Sequence, residues 1–332
     1  MADESAQDNG WRRNLYVLWV AETLTILGFS MCYPFLPFFL TELGVKSFDS
    51  RALWTGALTA SSAGVMALAA PFWGMTADRY GRKPMIVRAM LGGALATGLM
   101  GLVVAPWQLL ILFMIDGALS GTVTAAMTLV ASTTPNKHLG YALGLLQTGI
   151  FTGSSAGPFV GGLVADHFGY RPVFGVGFVL LFGSALLVLV AIREHFVRAP
   201  RDTTAPGRAG RGAALLALLL AGAIPASIAM MFALRLTNSA ISPILPLFVE
   251  TLARPGAPLA SLTGLTFGIS GLGSAIAGLT LGRAADRLGH RLVLTATGLA
   301  IGVLYIPPAL VREPWQLIVS YGLLGLATGG IA

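Results

Sequence analysis

Long apolar runs dominate the chain, and short polar loops separate them. The runs reach about 20 residues, enough to cross ~30 Å of hydrocarbon as a helix that rises 1.5 Å per residue. The period-two alternation of a transmembrane barrel is absent. The pattern predicts ten spans with these approximate limits: 14–40, 52–77, 85–105, 107–132, 140–164, 171–192, 223–248, 259–284, 291–311 and a tenth from 315.

Composition supports a membrane protein with many spans. Of 332 residues, 55% are hydrophobic and 11% are charged, with a mean hydropathy of +0.77. Soluble domains carry about 25% charged residues, so an all-α polytopic membrane protein is the predicted fold class. An arginine-rich stretch without apolar periodicity follows the sixth span. We therefore predict an amino-terminal bundle at 1–192, a cytoplasmic linker at 193–222 and a carboxy-terminal bundle at 223–332.

The distribution of positive charge predicts the orientation. The amino-terminus, the loops after even-numbered spans and the linker hold 15 of the 21 Lys and Arg residues, and the opposite loops hold 5. This bias places the amino-terminus and the linker in the cytoplasm. The expected location of the protein is the plasma (inner) membrane. The net charge of +7 therefore reflects topology, and nucleic acid is not an expected partner.

Three short matches at nearly one spacing indicate an internal repeat. The charged turn around Asp78 recurs around Asp286, and Pro106-Trp107-Gln108-Leu109 recurs 208 positions later. The segment from Pro34 to Phe39 recurs at an offset of 209. Repeated halves of six spans are a transporter architecture, with the substrate site between the halves near the midplane of the membrane.

Two further patterns stand out. The charged turn contains Gly74, Asp78, Arg79, Gly81 and Arg82, and its second copy contains Gly282, Asp286, Arg287 and Gly289. A solvated turn that obeys the positive-inside rule would also explain it. In the fifth span, small residues form one helix face at Gly149, Gly153, Gly157 and Gly161, with Pro158 and Gly162 beside them. Close packing of helix backbones is the plain structural explanation.

These residues resemble the motifs of the major facilitator superfamily, and within it those of proton-driven drug exporters of the MdtG-like bacterial branch. The likeness covers nearly the whole chain, with the linker as the weak part. It implies two pseudo-repeated six-helix bundles, the second incomplete. It also implies that the turn at Gly74–Arg82 is motif A, a conformational latch, and that the stripe from Gly149 to Gly162 is motif C, which is associated with antiporters.

The fourth span departs from the family pattern. Motif B has an arginine, then a glutamine three residues later, then glycine, whereas this chain has Phe113, Asp116 and Gly117. Proton coupling, if it occurs, must then use another group, and Asp116 is the first candidate. Glu22 in the first span is the second candidate and could face water near the cytoplasmic end. Each charge at mid-helix costs about 2.5–3.5 kcal/mol, so a structural ion pair with Arg235 in the seventh span is an equal alternative.

The expected function is secondary active export of hydrophobic or amphipathic drugs in exchange for protons. The partners would be a small-molecule substrate, protons and the lipid bilayer, and the protein would act as a monomer. No phosphate-binding loop or metal-ligand spacing occurs, so we expect neither an enzyme nor a cofactor. Candidate residues of the substrate cavity are Tyr33, Phe113, Asp116, Arg235 and Tyr321.

Two other functions remain open. One is a metabolite facilitator or symporter of the same fold, and the other is a membrane fragment that does not transport. By the repeat offset, Ala332 corresponds to Thr124, in the middle of the fourth span. The sequence therefore predicts a chain truncated within its tenth span, with spans eleven and twelve missing.

Overall fold

Helices are the only regular secondary structure in the part of the chain that the structure describes. This computed structural model describes residues 2–194, 241, 243–254, 256–288 and 290–329, without the side chains of 2–9, 279, 281–291 and 294. The predicted all-α fold is confirmed. The helices are α1 (Ala2–Ser30), α2 (Leu36–Glu42), α3 (Phe48–Tyr80), α4 (Arg82–Met100), α5 (Pro106–Leu119), α6 (Thr122–Thr133), α7 (Leu139–Phe168), α8 (Tyr170–Ala191), α9 (Leu245–Leu252), α10 (Leu259–Leu288), α11 (His290–Leu304) and α12 (Pro314–Thr328).

Membrane-spanning length and outward-facing apolar side chains go together in these helices. Five stretches within the described residues are long and apolar enough to cross a membrane: Gly10–Glu42, Phe48–Tyr80, Pro106–Thr133, Tyr170–Ala191 and Leu259–Gly278. Large apolar side chains of these helices such as Leu68 and Val190 are mostly exposed, at 83% and 73%. Such exposure is expected where lipid replaces water around a helix. The chain is thus a multi-pass membrane protein, as predicted.

The first span is broken, whereas the sequence pattern predicted one continuous helix. Helix α1 ends at Ser30, a 3₁₀ turn covers Tyr33–Phe35, and α2 continues to Glu42. Pro34 and Pro37 cause the break, because proline has no backbone N–H and disfavours helical geometry in the residue before it. The break moves the ring of Tyr33 away from the direction that an unbroken α1 would give it.

The internal repeat is visible in the structure as repeated contacts. Helices α2 and α9 both begin at a Leu-Pro pair 209 positions apart. Gln108 accepts a backbone hydrogen bond from Val104, and Gln316 accepts one from Arg312, 208 positions later, both at 2.9 Å. In each half, a glycine of the fourth or tenth span also lies directly against a serine backbone of the second or eighth span. These pairs are Gly117 with Ser62 and Gly325 with Ser270, again 208 positions apart.

Helix α7 joins the two halves. It packs against α1 and α8 on one side and against α10 on the other, while α10 packs in turn against α12. Helix α4 packs on α8, and α3 packs on α5. The predicted boundaries of the bundles stay a prediction, because most of the linker and of the seventh span lies outside the described residues.

Candidate functional site

The fourth span breaks one turn after Asp116. Helix α5 ends at Leu119, Gly121 has a φ of +118°, and α6 begins at Thr122. Glycine tolerates this left-handed geometry because it has no Cβ. The sequence analysis predicted an unbroken span and missed this break, although the Ser120-Gly121 pair is a signal for it.

Two side chains bind the carbonyl groups that the break leaves free. The indole nitrogen of Trp73 donates to the carbonyl of Ala118 at 2.6 Å, and Nη2 of Arg88 donates to the carbonyl of Ser120 at 3.2 Å. The Arg88 guanidinium carbon lies 3.5 Å from the centre of the Trp73 ring, a cation–π contact. Irregular backbone is tolerated at membrane depth when neighbouring helices supply such partners. The second and third spans therefore hold the break in place.

Asp116 and Tyr33 form a buried hydrogen bond between the fourth and first spans. The Tyr33 hydroxyl donates to Oδ2 of Asp116 at 2.8 Å, and Asp116 is 4% exposed. The other oxygen, Oδ1, is buried and has no hydrogen-bond partner among the described residues. The Phe113 ring meets the Tyr33 ring edge-on, with centroids 5.5 Å apart. Three residues predicted to line the cavity thus lie together, although Phe113 belongs to the core of the first bundle and is 1% exposed.

Glu22 lies deeper than expected. The sequence analysis placed it near the cytoplasmic end, where it could face water, but its side chain is fully buried. Neither carboxylate oxygen has a hydrogen-bond partner within the described part of the chain. The reason is that α1 begins at Ala2 and packs against α6, α7 and α8, so Glu22 lies inside the bundle. A charged carboxylate in this position would be costly, because no partner offsets the loss of its hydration.

The remaining two residues predicted to line the cavity are Arg235 and Tyr321. Arg235 lies outside the described residues, so the predicted ion pair with an acid of the first half stays a prediction. Tyr321 is partly buried and packs against the cluster formed by Leu245, Val249 and Leu317. It therefore lies in the second half, where α9 meets α12.

The motif A turn is ordered by a residue that the sequence analysis did not single out. Glu194 accepts hydrogen bonds from the backbone N–H groups of Arg82 and Lys83, both at 2.8 Å. A carboxylate at a helix amino-terminus binds N–H groups that lack helical partners and is favoured by the helix dipole. The motif's own carboxylate, Asp78, is 73% exposed and pairs with Arg82 at 3.1 Å. Its position after the sixth span was the available signal for Glu194.

The other residues of the motif A turn make local contacts or line a neighbouring cavity. The guanidinium of Arg79 lies over the ring of Tyr80 at 5.3 Å, and Gly81 makes the turn with a φ of +97°. Gly74 lines a cavity of about 350 Å³ between the second, third and fourth spans. In the second copy, the side chains of Asp286 and Arg287, together with Gly282 and Gly289, lie outside the description that the structure gives.

The glycine stripe of α7 lies against the first span. A Cβ at Gly149 or Gly153 would lie 2.6 Å from an atom of Thr23, and one at Gly157 or Gly161 would overlap Ser30 or Met31. On the other side of α7, Gly162 lies against the backbone of Ala260, and Pro158 against Gly264. Motif C therefore packs against a helix of its own bundle with one face and against the opposite bundle with the other.

Towards the amino-terminal end of α7, the helices α7 and α10 separate and enclose a cavity of about 630 Å³. Apolar side chains form most of its wall, with a few hydroxyl and amide groups. Of the predicted cavity residues that the structure describes, Tyr33, Phe113, Asp116 and Tyr321, none lines it. Its lining includes Gln147, Thr148, Phe151, Thr152, Phe159, Leu265 and Leu272.

Comparisons with known proteins agree with this architecture. Proteins named multidrug resistance protein MdtG are similar in sequence. The one from Dickeya zeae is 36% identical over 321 residues, covering 97% of this chain and 78% of the relative. The one from Salmonella typhimurium is 35% identical over 328 residues, with the same coverage. The resemblance to MdtG-like proteins is thus confirmed.

Solved structures share the fold. The nucleoside transporter NupG matches with a TM-score of 0.72 and 15% identity, covering 96% of this chain and 80% of that one. A bacterial homologue of the lysosomal transporter Spinster, in an inward-facing and occupied conformation, matches with a TM-score of 0.63 and 19% identity, covering 95% and 72%. The sequence profile of the Major Facilitator Superfamily matches residues 18–332. Together with the repeated halves and the contacts across α7, this match shows that the chain belongs to the Major Facilitator Superfamily of membrane transporters.

Proposed function

We propose that the protein exports hydrophobic or amphipathic drugs in exchange for protons. Relatives named as multidrug resistance proteins, at 35–36% identity, support the drug as substrate class. The cavity between α7 and α10 supports it physically, because apolar walls with a few polar groups fit amphipathic ligands. Sugars and other strongly polar solutes would need more hydrogen-bonding side chains than this wall offers.

The observation that carries the proton half of the proposal is the pair of buried carboxylates. Asp116 is 4% exposed and has one partner, Tyr33, while Glu22 is fully buried without a partner within the described residues. An intramembrane carboxylate is costly to keep charged, so it takes up a proton unless a cation or water reaches it. Such a group can therefore bind and release a proton as the transporter changes state, which proton exchange requires.

Dye efflux from membrane vesicles tests the proposal. In right-side-out vesicles loaded with an amphipathic cationic dye, we expect efflux to speed up when the outside is made acidic and to return to the passive rate when a protonophore collapses the gradient. A protein that moves only polar metabolites would leave dye efflux unchanged and accumulate or release the metabolite instead. That result, or the absence of any flux, would contradict the proposal.

The proposal includes a location and an orientation. The protein lies in the plasma (inner) membrane as a monomer, with its amino-terminus in the cytoplasm. Lys46 and Lys137 provide a matched test, because both are exposed loop lysines and the loops lie on opposite faces. After replacement of Cys32 by alanine, Lys46→Cys should react with an impermeant thiol reagent in intact cells. Lys137→Cys should react only after permeabilisation, and the reverse pattern would show that the charge-based topology is wrong.

A further inference from the structure

Asp166 connects the two halves at the end of the fifth span. It lies near the end of α7, and its oxygens Oδ1 and Oδ2 accept hydrogen bonds from the backbone N–H groups of Ala260, at 3.2 Å, and Ser261, at 2.7 Å. Helix α10 begins at Leu259, so these N–H groups belong to its first turn. They have no partner within their own helix, and the helix dipole favours a negative charge beside them. Asp166 therefore caps the eighth span from the opposite half of the protein.

An ion pair joins the two halves at the same face of the membrane. Nη1 of Arg51, at the start of α3, lies 2.8 Å from Oε2 of Glu250, near the end of α9. The Arg51 side chain is only 9% exposed, and the Glu250 side chain is 35% exposed. A partly buried pair of this kind is screened less by salt than a fully exposed surface pair. It is therefore able to favour one arrangement of the two halves.

Between these polar contacts and the middle of the membrane, α7 and α10 touch without intervening side chains. A Cβ at Gly162 would lie 2.5 Å from the carbonyl oxygen of Ala260, and one at Gly264 would overlap the carbonyl oxygen of Pro158. Towards the other face, the same two helices separate around the 630 Å³ cavity. The halves are thus closed at the face opposite the amino-terminus and separated at the face of the amino-terminus.

The turn after Asp166 repeats the motif A turn in sequence and in geometry. At an offset of 88, Gly74, Ala77, Asp78, Gly81 and Pro84 correspond to Gly162, Ala165, Asp166, Gly169 and Pro172.

The two turn glycines share one backbone conformation. Gly81 has φ and ψ of +97° and 169°, and Gly169 has +88° and 173°. Each donates its N–H to the alanine four residues earlier, Ala77 or Ala165, at 2.9 and 2.8 Å. Inverted three-helix repeats within each half place such equivalent turns on opposite faces of the membrane.

We propose that Asp166 and the Arg51–Glu250 pair form a second latch, opposite in side and in effect to motif A, that holds the transporter closed at the face opposite the amino-terminus. Under the proposed orientation this is the extracellular face, but the latch itself depends only on the two faces being opposite. The latch is engaged in this structure, where Asp166 binds the eighth span. Opening towards the latched face requires both polar contacts to break.

Spin-label distances test the latch directly. Cysteines that replace Lys46 and Arg254, in the protein with Cys32→Ala, place one label on each half at the latched face. In the otherwise unchanged protein, pulsed electron–electron double resonance should show mainly the shorter distance between the two labels, which corresponds to the closed latch. Asp166→Asn removes the charge and one of the two acceptors, so we expect the ratio of open to closed populations to rise roughly tenfold, as for loss of a charge-assisted hydrogen bond.

The control is Asp49→Asn, a change of an exposed aspartate on the same face for which the structure records no ion pair among the described residues. It should leave the distance distribution unchanged. Arg51→Glu should also populate the longer distance, and Arg51→Glu combined with Glu250→Arg should restore the shorter one. An Asp166→Asn distribution identical to that of Asp49→Asn, in proteins with equal melting temperatures, would overturn the proposal. An unrestored charge swap would remove the ion pair from the latch.

Discussion

Alanine in place of Gly161 should lower the melting temperature of the purified protein and its yield in the membrane. The added Cβ would overlap the backbone carbonyl oxygen of Met31, at the point where the first span breaks. A backbone atom held by a neighbouring helix cannot move away as a side chain can, so the two helices must separate. Overpacking of this kind costs about 1–3 kcal/mol. A thermal unfolding assay in detergent measures the change.

Gly144→Ala is the matched control, because the same substitution in the same helix meets no atom within 4 Å. It should leave stability unchanged or raise it by about 0.4–1 kcal/mol through a smaller entropy loss on folding. Gly157→Ala should lie between the two, since its nearest neighbour is the hydroxyl of Ser30, which can rotate, and the backbone carbonyl oxygen of Leu27 lies farther away, at 2.9 Å. Equal melting temperatures for Gly161→Ala and Gly144→Ala would show that the close approach of α7 and α1 does not limit stability.

The sequence predicted most of the architecture because membrane helices obey simple rules. Run length gives the spans, and the repeat at 208 positions gives the two halves. The repeat also predicted local structure, since Gln108 and Gln316 make the same backbone contact in each half. Motif resemblance led to the correct family. These features depend on residues close together in the chain or on a constant offset.

The breaks in two spans were missed, although each had a sequence signal. Pro34 and Pro37 break the first span, and Ser120-Gly121 breaks the fourth. Glycine and proline are common in membrane helices, where neighbouring helices bind the freed backbone groups. Whether such a residue breaks a helix therefore depends on partners such as Trp73, which is 45 residues away from Ala118. That partnership has no local signature.

The latch contacts show two different limits of sequence analysis. The turn at Asp166 has a sequence signal, a match to motif A at an offset of 88, which the repeat at 208 positions does not reveal. By contrast, nothing in the sequence pairs Arg51 with Glu250, which lie 199 positions apart in helices of different halves. Such a pair depends on how the halves meet. The prediction that Glu22 could face water was wrong for a similar reason, because the burial of this side chain depends on the helices that pack around α1.

The largest functional effect is expected from Asp116→Asn, which should abolish pH-driven exchange while substrate binding persists. Asparagine has nearly the same shape and can still accept the hydrogen bond from Tyr33, so the contact between the first and fourth spans is preserved. It cannot take up or release a proton, so a pH gradient can no longer act through this group. We expect dye efflux under a pH gradient to fall to the rate without a gradient, with dye binding in detergent little changed.

Glu22→Gln is the companion variant, because it neutralises the other buried carboxylate by the same chemical change. We expect a milder effect for Glu22, because this residue takes no part in the hydrogen bond between Tyr33 and Asp116. If Glu22→Gln abolished the pH dependence and Asp116→Asn preserved it, the proton would be carried by the first span. Full efflux with full pH dependence in Asp116→Asn would make that carboxylate structural. Neutralising a buried carboxylate removes its desolvation cost, so we expect Asp116→Asn to have an unchanged or higher melting temperature. That result would rule out unfolding as the cause of lost exchange.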